Sequence, residues 1–382
     1  MVAVYTHSLL EPSMTFILSH AEALRRYWPV YVGSRRVAGL TLPDERVVTS
    51  NRGGLIGLAE ELLFRRFGVL GRLSADLRRF QPSLVHAHFG QSGPAALALA
   101  ESLGIPLVVT YHGQDATIKD EESRRSWRGR EYLRGRPRVM RGASLVIAVS
   151  DFIRQRLLQS GFPEAKVVTH RNGIDLRFFD CPLQPREPIA VFVGRFVEKK
   201  GCEYLVRALG HLRSQGCRVR GVLVGDGPRR AELEELAAQT QADVKFTGLL
   251  PSKEVRSWLA RASVVVVPSV TASNGDSEGL PTVILEAQAM RTPVIATRHA
   301  GNAEGVLEGR SALVVNERDV QELAAGIRFF VQNPAAVESF GAEGRRFVRS
   351  CFDIDRQVEG LEGLYDRALT QSRTDIPTSI QC

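Results

Sequence analysis

The feature that most constrains this chain is a rhythm in which short β-branched and aliphatic runs recur between stretches of helical spacing. Ser83-Leu84-Val85-His86-Ala87-His88, Leu107-Val108-Val109-Thr110-Tyr111-His112 and Leu145-Val146-Ile147-Ala148-Val149-Ser150 read as strands, with amphipathic stretches such as 92–103 between them. That alternation specifies β-α-β units and a parallel sheet. The rhythm restarts after Cys181-Pro182-Leu183-Gln184-Pro185-Arg186-Glu187-Pro188, which reads as a linker because proline donates no ladder hydrogen bond. The runs 189–193, 221–225, 244–246, 263–267 and 293–296 follow, nearly all apolar, as strands covered on both faces must be. The expectation is an α/β chain of two domains, residues 1–184 and 185–371, which suits a length of 382 residues. A polar tail, 372–382, reads as disordered.

Ligands of open parallel sheets bind beyond the carboxyl ends of the strands. Two such domains facing each other would enclose one deep cleft, so the loops that follow strands are where chemistry is expected. After Val193 comes Gly194-Arg195-Phe196-Val197-Glu198-Lys199-Lys200-Gly201. Glycines admit close backbone approach, and Arg195 and Lys200 supply fixed positive charge that suits a pyrophosphate. The same loop would also serve as a plain surface turn. The P-loop pattern is absent, and Gly225-Asp226-Gly227-Pro228 lacks the third glycine of a dinucleotide fingerprint, so it reads as a tight β-α turn.

The most informative stretch follows Pro268, where a loop of small residues containing Glu278 runs into Leu280-Pro281-Thr282-Val283-Ile284-Leu285-Glu286-Ala287. A helix starting at about Thr282 presents free amides and a positive dipole end to an anion. Glu286 lies four residues beyond Thr282 and shares its face. A carboxylate there would sit beside a bound phosphate and accept from a ribose diol. Glu278, nearer the strand end, would hold hydroxyls of a transferred sugar. The plainer alternative makes Glu278 a loop charge and Glu286 a solvated helix residue, but Glu286 is flanked by apolar neighbours, where an unpaired carboxylate is costly.

Net charge is +8, with arginines concentrated at 65–80 and 124–141 among Phe67, Phe80, Trp127 and Tyr132. These segments read either as solvated helix faces or as a surface resting on anionic lipid. No nucleic-acid-binding signature is present. No apolar run is long enough to span a bilayer, and the first residues lack signal-peptide features, so a cytoplasmic location is the default expectation. The five cysteines are scattered without a C-x2-C pair, which indicates neither zinc site nor disulfide framework. Asp353-Ile354-Asp355 reads as the opening of a late helix rather than a metal motif.

Taken together, Glu278 and Glu286 with seven residues between them, Gly194-Arg195 and Lys200-Gly201 resemble the donor-site signature of retaining glycosyltransferases of family four, of the GT-B fold. His86-Ala87-His88-Phe89-Gly90, Thr110-Tyr111-His112-Gly113-Gln114-Asp115, Arg171-Asn172-Gly173-Ile174-Asp175 and Thr297-Arg298-His299-Ala300-Gly301-Asn302-Ala303-Glu304 resemble further family loops, most clearly over residues 84–366. Each motif is weak alone, and their order and spacing are specific. The likeness is to enzymes that build exopolysaccharide, capsule or lipopolysaccharide. One departure lies after the first strand, where Glu11-Pro12-Ser13-Met14-Thr15-Phe16 replaces a Gly-Gly loop and resembles a Ser-Glu-Thr-Phe variant with Met14 in place of Glu.

The resemblance implies two Rossmann-like domains, an acceptor-binding first and a sugar-nucleotide-binding second, with the last helix crossing back to the first. It implies transfer of a hexosyl group, with retained anomeric configuration, from a nucleotide-diphosphate sugar to a saccharide or lipid-linked acceptor in cell-surface polysaccharide synthesis. Arg195 and Lys200, with the amides of Thr282 and Val283, would stabilise the leaving diphosphate. Glu286 would hold the ribose and Glu278 the donor sugar, with Gly248 and Leu249 against the base. His112 would sit near the anomeric centre, and Ser13 and Asp115 are candidate acceptor or phosphate contacts. Neither metal nor cofactor beyond the sugar nucleotide is expected. A lipid-linked acceptor would bring the chain to the inner face of the plasma membrane. The alternatives are a sugar-nucleotide epimerase or hydrolase of the same fold, and a binding module with a degenerate cleft.

Overall fold

The computed structural model describes residues 1–180 and 185–374. Contacts divide the chain into two units, Met1–Gly173 with the segment from Ile354 onward, and Ile174–Asp353. In the first unit β1 (Val2–Leu9), β2 (Pro29–Arg36), β3 (Val47–Thr49), β4 (Leu84–His88), β5 (Leu107–Tyr111), β6 (Leu145–Ala148) and β7 (Val167–Thr169) form a sheet. In the second, β8 (Glu187–Val193), β9 (Arg220–Val224), β10 (Val244–Gly248), β11 (Ala262–Val267), β12 (Val294–Thr297) and β13 (Ala312–Val315) form another.

Among the described residues the strand orders are β3-β2-β1-β4-β5-β6-β7 and β10-β9-β8-β11-β12-β13. Every strand pairing within them is parallel. Both orders reverse beside the first strand of their unit, and an open parallel sheet forms its crevice at that reversal. In the second unit the reversal falls between β8 and β11, so the loops after Val193 and Val267 flank the crevice. Apolar residues pack on both faces of each sheet, which is why β5 and β11 carry almost no polar side chain.

The expected boundary at 184 falls instead at Gly173. The reason is local packing. Ile174, Leu176 and Phe179 join Leu280, Leu285, Ala289, Val348 and Phe352 in an apolar cluster of the second unit. Arg256 and Arg345 donate to the carbonyls of Phe178 and Phe179 at 2.6 and 2.7 Å. The last helix, Ile354–Thr374, packs Leu361, Tyr365 and Ala368 into the first unit's core beside Val4, Leu84 and Ile147. Its Glu362 accepts from the backbone N–H of Arg25 and Arg26 at 2.7 and 2.6 Å.

Two details differ from the sequence expectation. β8 begins at Glu187 and includes Pro188, which falls where the pairing with β11 shifts register and before the pairing with β9 begins, so no ladder donor is missed. Residues 181–184 of the expected linker lie outside the described residues. The expected tail does too from 375 on, while 372–374 end the last helix.

Candidate functional site

The predicted site residues fall into two groups, one on each unit. In the second unit β8 ends at Val193 and the chain turns through Gly194 and exposed Arg195 into a short turn, Glu198–Lys200. β11 ends at Val267 and gives way to the loop that carries Glu278. Three consecutive side chains of the turn tie the two loops together. Glu198 accepts from the Ser273 amide and hydroxyl at 2.8 Å each. Lys199 pairs with Asp276 at 2.9 Å. Lys200 pairs with Glu278 at 2.8 Å. Gly201 closes the turn at φ +62°, where a Cβ would meet the Pro268 carbonyl oxygen at 1.9 Å, so only glycine fits.

Glu278 is buried, at 6% exposure. Burial alone would raise its carboxyl, but Lys200 and then Lys199 outweigh that and hold it at about 2. It is therefore an ionised, acceptor-only group at neutral pH. The helix Thr282–Ala289 starts directly beyond, with Pro281 before it and no side-chain cap. The Ile284 amide is used by the Pro281 carbonyl at 3.1 Å, whereas the amides of Thr282 and Val283 have no backbone acceptor among the described residues. Those two donors and the dipole end give the head of this helix a positive potential. One turn along, Glu286 accepts from the Thr282 hydroxyl and feels the charge of Lys200. Burial nevertheless pushes its carboxyl up to about 7. Lys200, Glu278, Thr282, Val283 and Glu286 are thus brought together around the head of one helix.

Arg195 is exposed at the end of β8 with no ion pair among the described residues. Gly248 ends β10 with φ +74°, and its carbonyl is taken by the Gly225 amide at 2.9 Å. Leu249 follows it at 70% exposure, a bare apolar side chain past a strand end.

The sequence reading missed the support behind Glu278. His299, in the loop after β12, is buried and accepts from the Glu278 amide at its Nε2, 3.2 Å away. An amide can only donate, so Nδ1 carries the ring proton and donates to Glu317 at 2.6 Å. The other oxygen of Glu317 accepts from the Thr271 amide at 3.1 Å, at the opposite end of the same loop. The pair thereby staples both ends of the loop that presents Glu278. The sequence signal is position alone: His299 lies two residues past the end of β12 and Glu317 two past the end of β13.

In the first unit Ser13 lies exposed in the turn after β1. His112 directly follows β5, and its Nε2 is 3.1 Å from Nδ1 of His88. The rings of Phe16 and Phe89 lie against it, with centroids 5.0 and 4.7 Å away. Burial, and then His20, depress its pKa to about 3, so the ring is neutral. Asp115 has a task the sequence did not suggest. Its carboxylate accepts from the amides of Gly90, His112 and Gly113 at 2.7, 3.0 and 2.9 Å. It is buried and organises the turns after β4 and β5, including the one that carries His112. Asp353 precedes the last helix in a backbone bridge with Ile174, and Asp355 pairs with Arg25 at 3.0 Å. Among the described residues no group of three or more His, Cys, Asp or Glu side chains is placed to hold a metal ion.

Comparison with known proteins fits this geometry. Residues 187–333 match the family described as Glycosyl transferases group 1, and residues 15–178 that described as Glycosyltransferase Family 4. A protein of Salmonella typhimurium named for colanic acid biosynthesis as glycosyltransferase WcaL is 32% identical over 321 residues, 78% of this chain and 77% of that protein. The amylovoran biosynthesis glycosyltransferase AmsK of Erwinia amylovora is 30% identical over 77% of this chain and 72% of its own length. Among solved structures, Anabaena HepE in complex with UDP and glucose superposes with a TM-score of 0.76 at 20% identity, over 96% of this chain and 99% of that one. The fold is GT-B.

Proposed function

The chain belongs to glycosyltransferase family 4, and from that premise we propose that it moves a hexosyl group from a nucleotide-diphosphate sugar to a saccharide or lipid-linked acceptor, with retention of anomeric configuration and without a metal ion. The observation that carries the reading is the helix head of the second unit. There the buried Glu278 paired with Lys200, two amides without backbone acceptors and Glu286 one turn along stand together at the sheet's reversal point.

The leaving diphosphate gathers negative charge as the glycosidic bond breaks. The Thr282 and Val283 amides, the helix dipole, Lys200 and exposed Arg195 are fixed positive ends aimed at that charge. Glu278, ionised and acceptor-only, suits the hydroxyls of the donor sugar, and Glu286 suits the vicinal diol of a ribose. Leu249, bare beyond β10, offers an apolar platform for the base against Gly248. His112, neutral and neighboured by His88, is assigned the anomeric region, and exposed Ser13 an acceptor or phosphate contact. HepE in complex with UDP and glucose supports a nucleotide-sugar donor. The names of WcaL and AmsK support polysaccharide synthesis as the setting.

The test is a thermal-shift panel of nucleoside diphosphates and their sugars, followed by transfer assays with the stabilising donor. The wild type should release nucleotide and extend an acceptor. Lys200→Ala and Glu286→Ala should each abolish transfer while remaining folded. Full activity in either variant overturns the site, and an epimerised or hydrolysed sugar formed without acceptor overturns the reaction.

A further inference from the structure

The first unit contains a helix whose polarity is inverted. Helix Gly54–Phe67 turns Gly57, Glu61 and Phe64 inward, one stripe at helical spacing. Glu61 in that stripe is only 3% exposed, held by the Asn51 amide at 2.8 Å and the Arg65 guanidinium at 3.2 Å. The outward face carries Leu55, Ile56, Leu58, Leu62 and Leu63, exposed by 86, 79, 48, 51 and 44%, with Val69 beyond the helix at 50%. A helix that only covered a core would show the opposite arrangement, and a contiguous aliphatic face on a surface marks a contact.

Charge decides what the contact is. Residues 52–80 hold six arginines against three acids, and residues 124–141 hold eight against one. Arg65 lies over the ring of half-exposed Trp127, 5.3 Å from its centroid, which joins the helix Trp127–Gly142 to this surface. Arg72, Arg79, Arg124, Arg125 and Arg128 of these two segments are exposed, with Arg79, Arg124 and Arg125 facing Asp76, Glu121 and Glu122 at 3.8, 3.9 and 2.8 Å. An aliphatic face with a rim of arginines and a tryptophan matches the boundary between acyl chains and anionic headgroups. A second copy of the chain would set the two arginine rims against each other. A helix of 14 residues is also shorter than a bilayer is thick, and no helix among the described residues is long and apolar enough to cross one.

We propose that helix Gly54–Phe67 docks the chain on an anionic lipid surface, seating Leu55, Ile56, Leu58, Leu62 and Leu63 among the acyl chains while the neighbouring arginines pair with headgroups. The inference does not rest on the donor-site reading. It sharpens the sequence expectation of a basic surface by assigning the apolar residues that enter the bilayer.

The experiment is flotation of the full chain with phosphatidylglycerol-containing vesicles and with pure phosphatidylcholine vesicles, at low and high salt. Light scattering reports the oligomeric state alongside. Leu55 and Ile56 are the most exposed of the set, so Leu55→Ser/Ile56→Ser leaves packing intact, and unchanged melting and nucleotide binding verify that. The wild type should float with anionic vesicles, lose that binding on raising the salt, and bind phosphatidylcholine weakly. The double variant should bind anionic vesicles at least about tenfold more weakly. Three outcomes overturn the proposal: no flotation of the wild type, equal flotation of wild type and variant, or a wild-type dimer that the double variant dissociates without lipid. Loss of flotation with nucleotide binding intact separates this surface from the donor site.

Discussion

Replacing Lys200 by methionine removes the main partner of a buried carboxylate while keeping a side chain of similar length. In the wild type Glu278 is held at about 2 against an ordinary 4.5, despite burial. At ~1.4 kcal/mol for each pH unit of separation, the ionised group contributes about 3 kcal/mol to folding. The sign follows from the folded value being the lower one. The contribution is fully present above pH 4.5 and is lost as pH falls through about 2. In Lys200→Met the carboxylate is left buried with the Ser269 hydroxyl at 3.4 Å, His299, and Lys199, which is already paired with Asp276. The second unit should then melt about 6–12 °C lower near neutral pH, at roughly 2–4 °C per kcal/mol for a domain of this size. Adding Glu278→Gln should recover most of that loss, because a neutral pair needs no counter-charge. Nucleotide binding should not recover in the double variant, because the charge that faces the diphosphate is still missing. Differential scanning calorimetry across pH, with titration calorimetry of the nucleotide, reads both effects. A Lys200→Met protein that melts with the wild type, or a double variant that binds nucleotide normally, would refute the reasoning.

Two further outcomes follow from the same site. Burial raises Glu286 from 4.5 to about 7, so its contribution to stability is full below 4.5 and is lost as pH rises through about 7. Ribose hydroxyls donate best to the ionised form, so nucleotide affinity should climb with pH up to about 7, by at most about tenfold per pH unit, with a proton released on binding. Calorimetry in two buffers should show that release and its disappearance in Glu286→Gln; a pH-independent affinity in the wild type speaks against the ribose role. His299→Leu should raise the donor KM by about tenfold or more, since it leaves the Glu278 amide and one oxygen of Glu317 without a partner. His299→Gln should restore part of it, because an amide can accept from the one and donate to the other. Equal loss in both variants would mean that the ring does not position Glu278.

Much of the fold was legible because strands buried on both faces leave runs of valine and isoleucine that helices of this length do not need. β5, β6, β8, β9, β11 and β12 were visible on that ground. The three-residue edge strands β3 and β7 pair on one side only and leave too short a pattern. The helix head that carries Thr282, Val283 and Glu286 was legible because a small-residue loop entering an apolar helix with a glutamate one turn in is a local pattern. What stayed hidden was the work of residues whose partners are remote in sequence. Asp115 is expected only as a candidate acceptor or phosphate contact, and its hold on the loops is invisible until the Gly90 amide, 25 residues away, is placed against it. His299 and Glu317 are unremarkable until β12 and β13 bring both to the loop that carries Glu278. The inverted helix Gly54–Phe67 was hidden for another reason. Its leucines look like a core face, and only packing shows that Glu61 takes the inner side.

The most direct test of the account is a crystal structure of the chain with the nucleoside diphosphate that stabilises it. The account predicts phosphate oxygens within hydrogen-bond distance of the Thr282 and Val283 amides and of Lys200, with both ribose hydroxyls on Glu286. A nucleotide bound elsewhere, with the head of helix Thr282–Ala289 left to solvent, would contradict it.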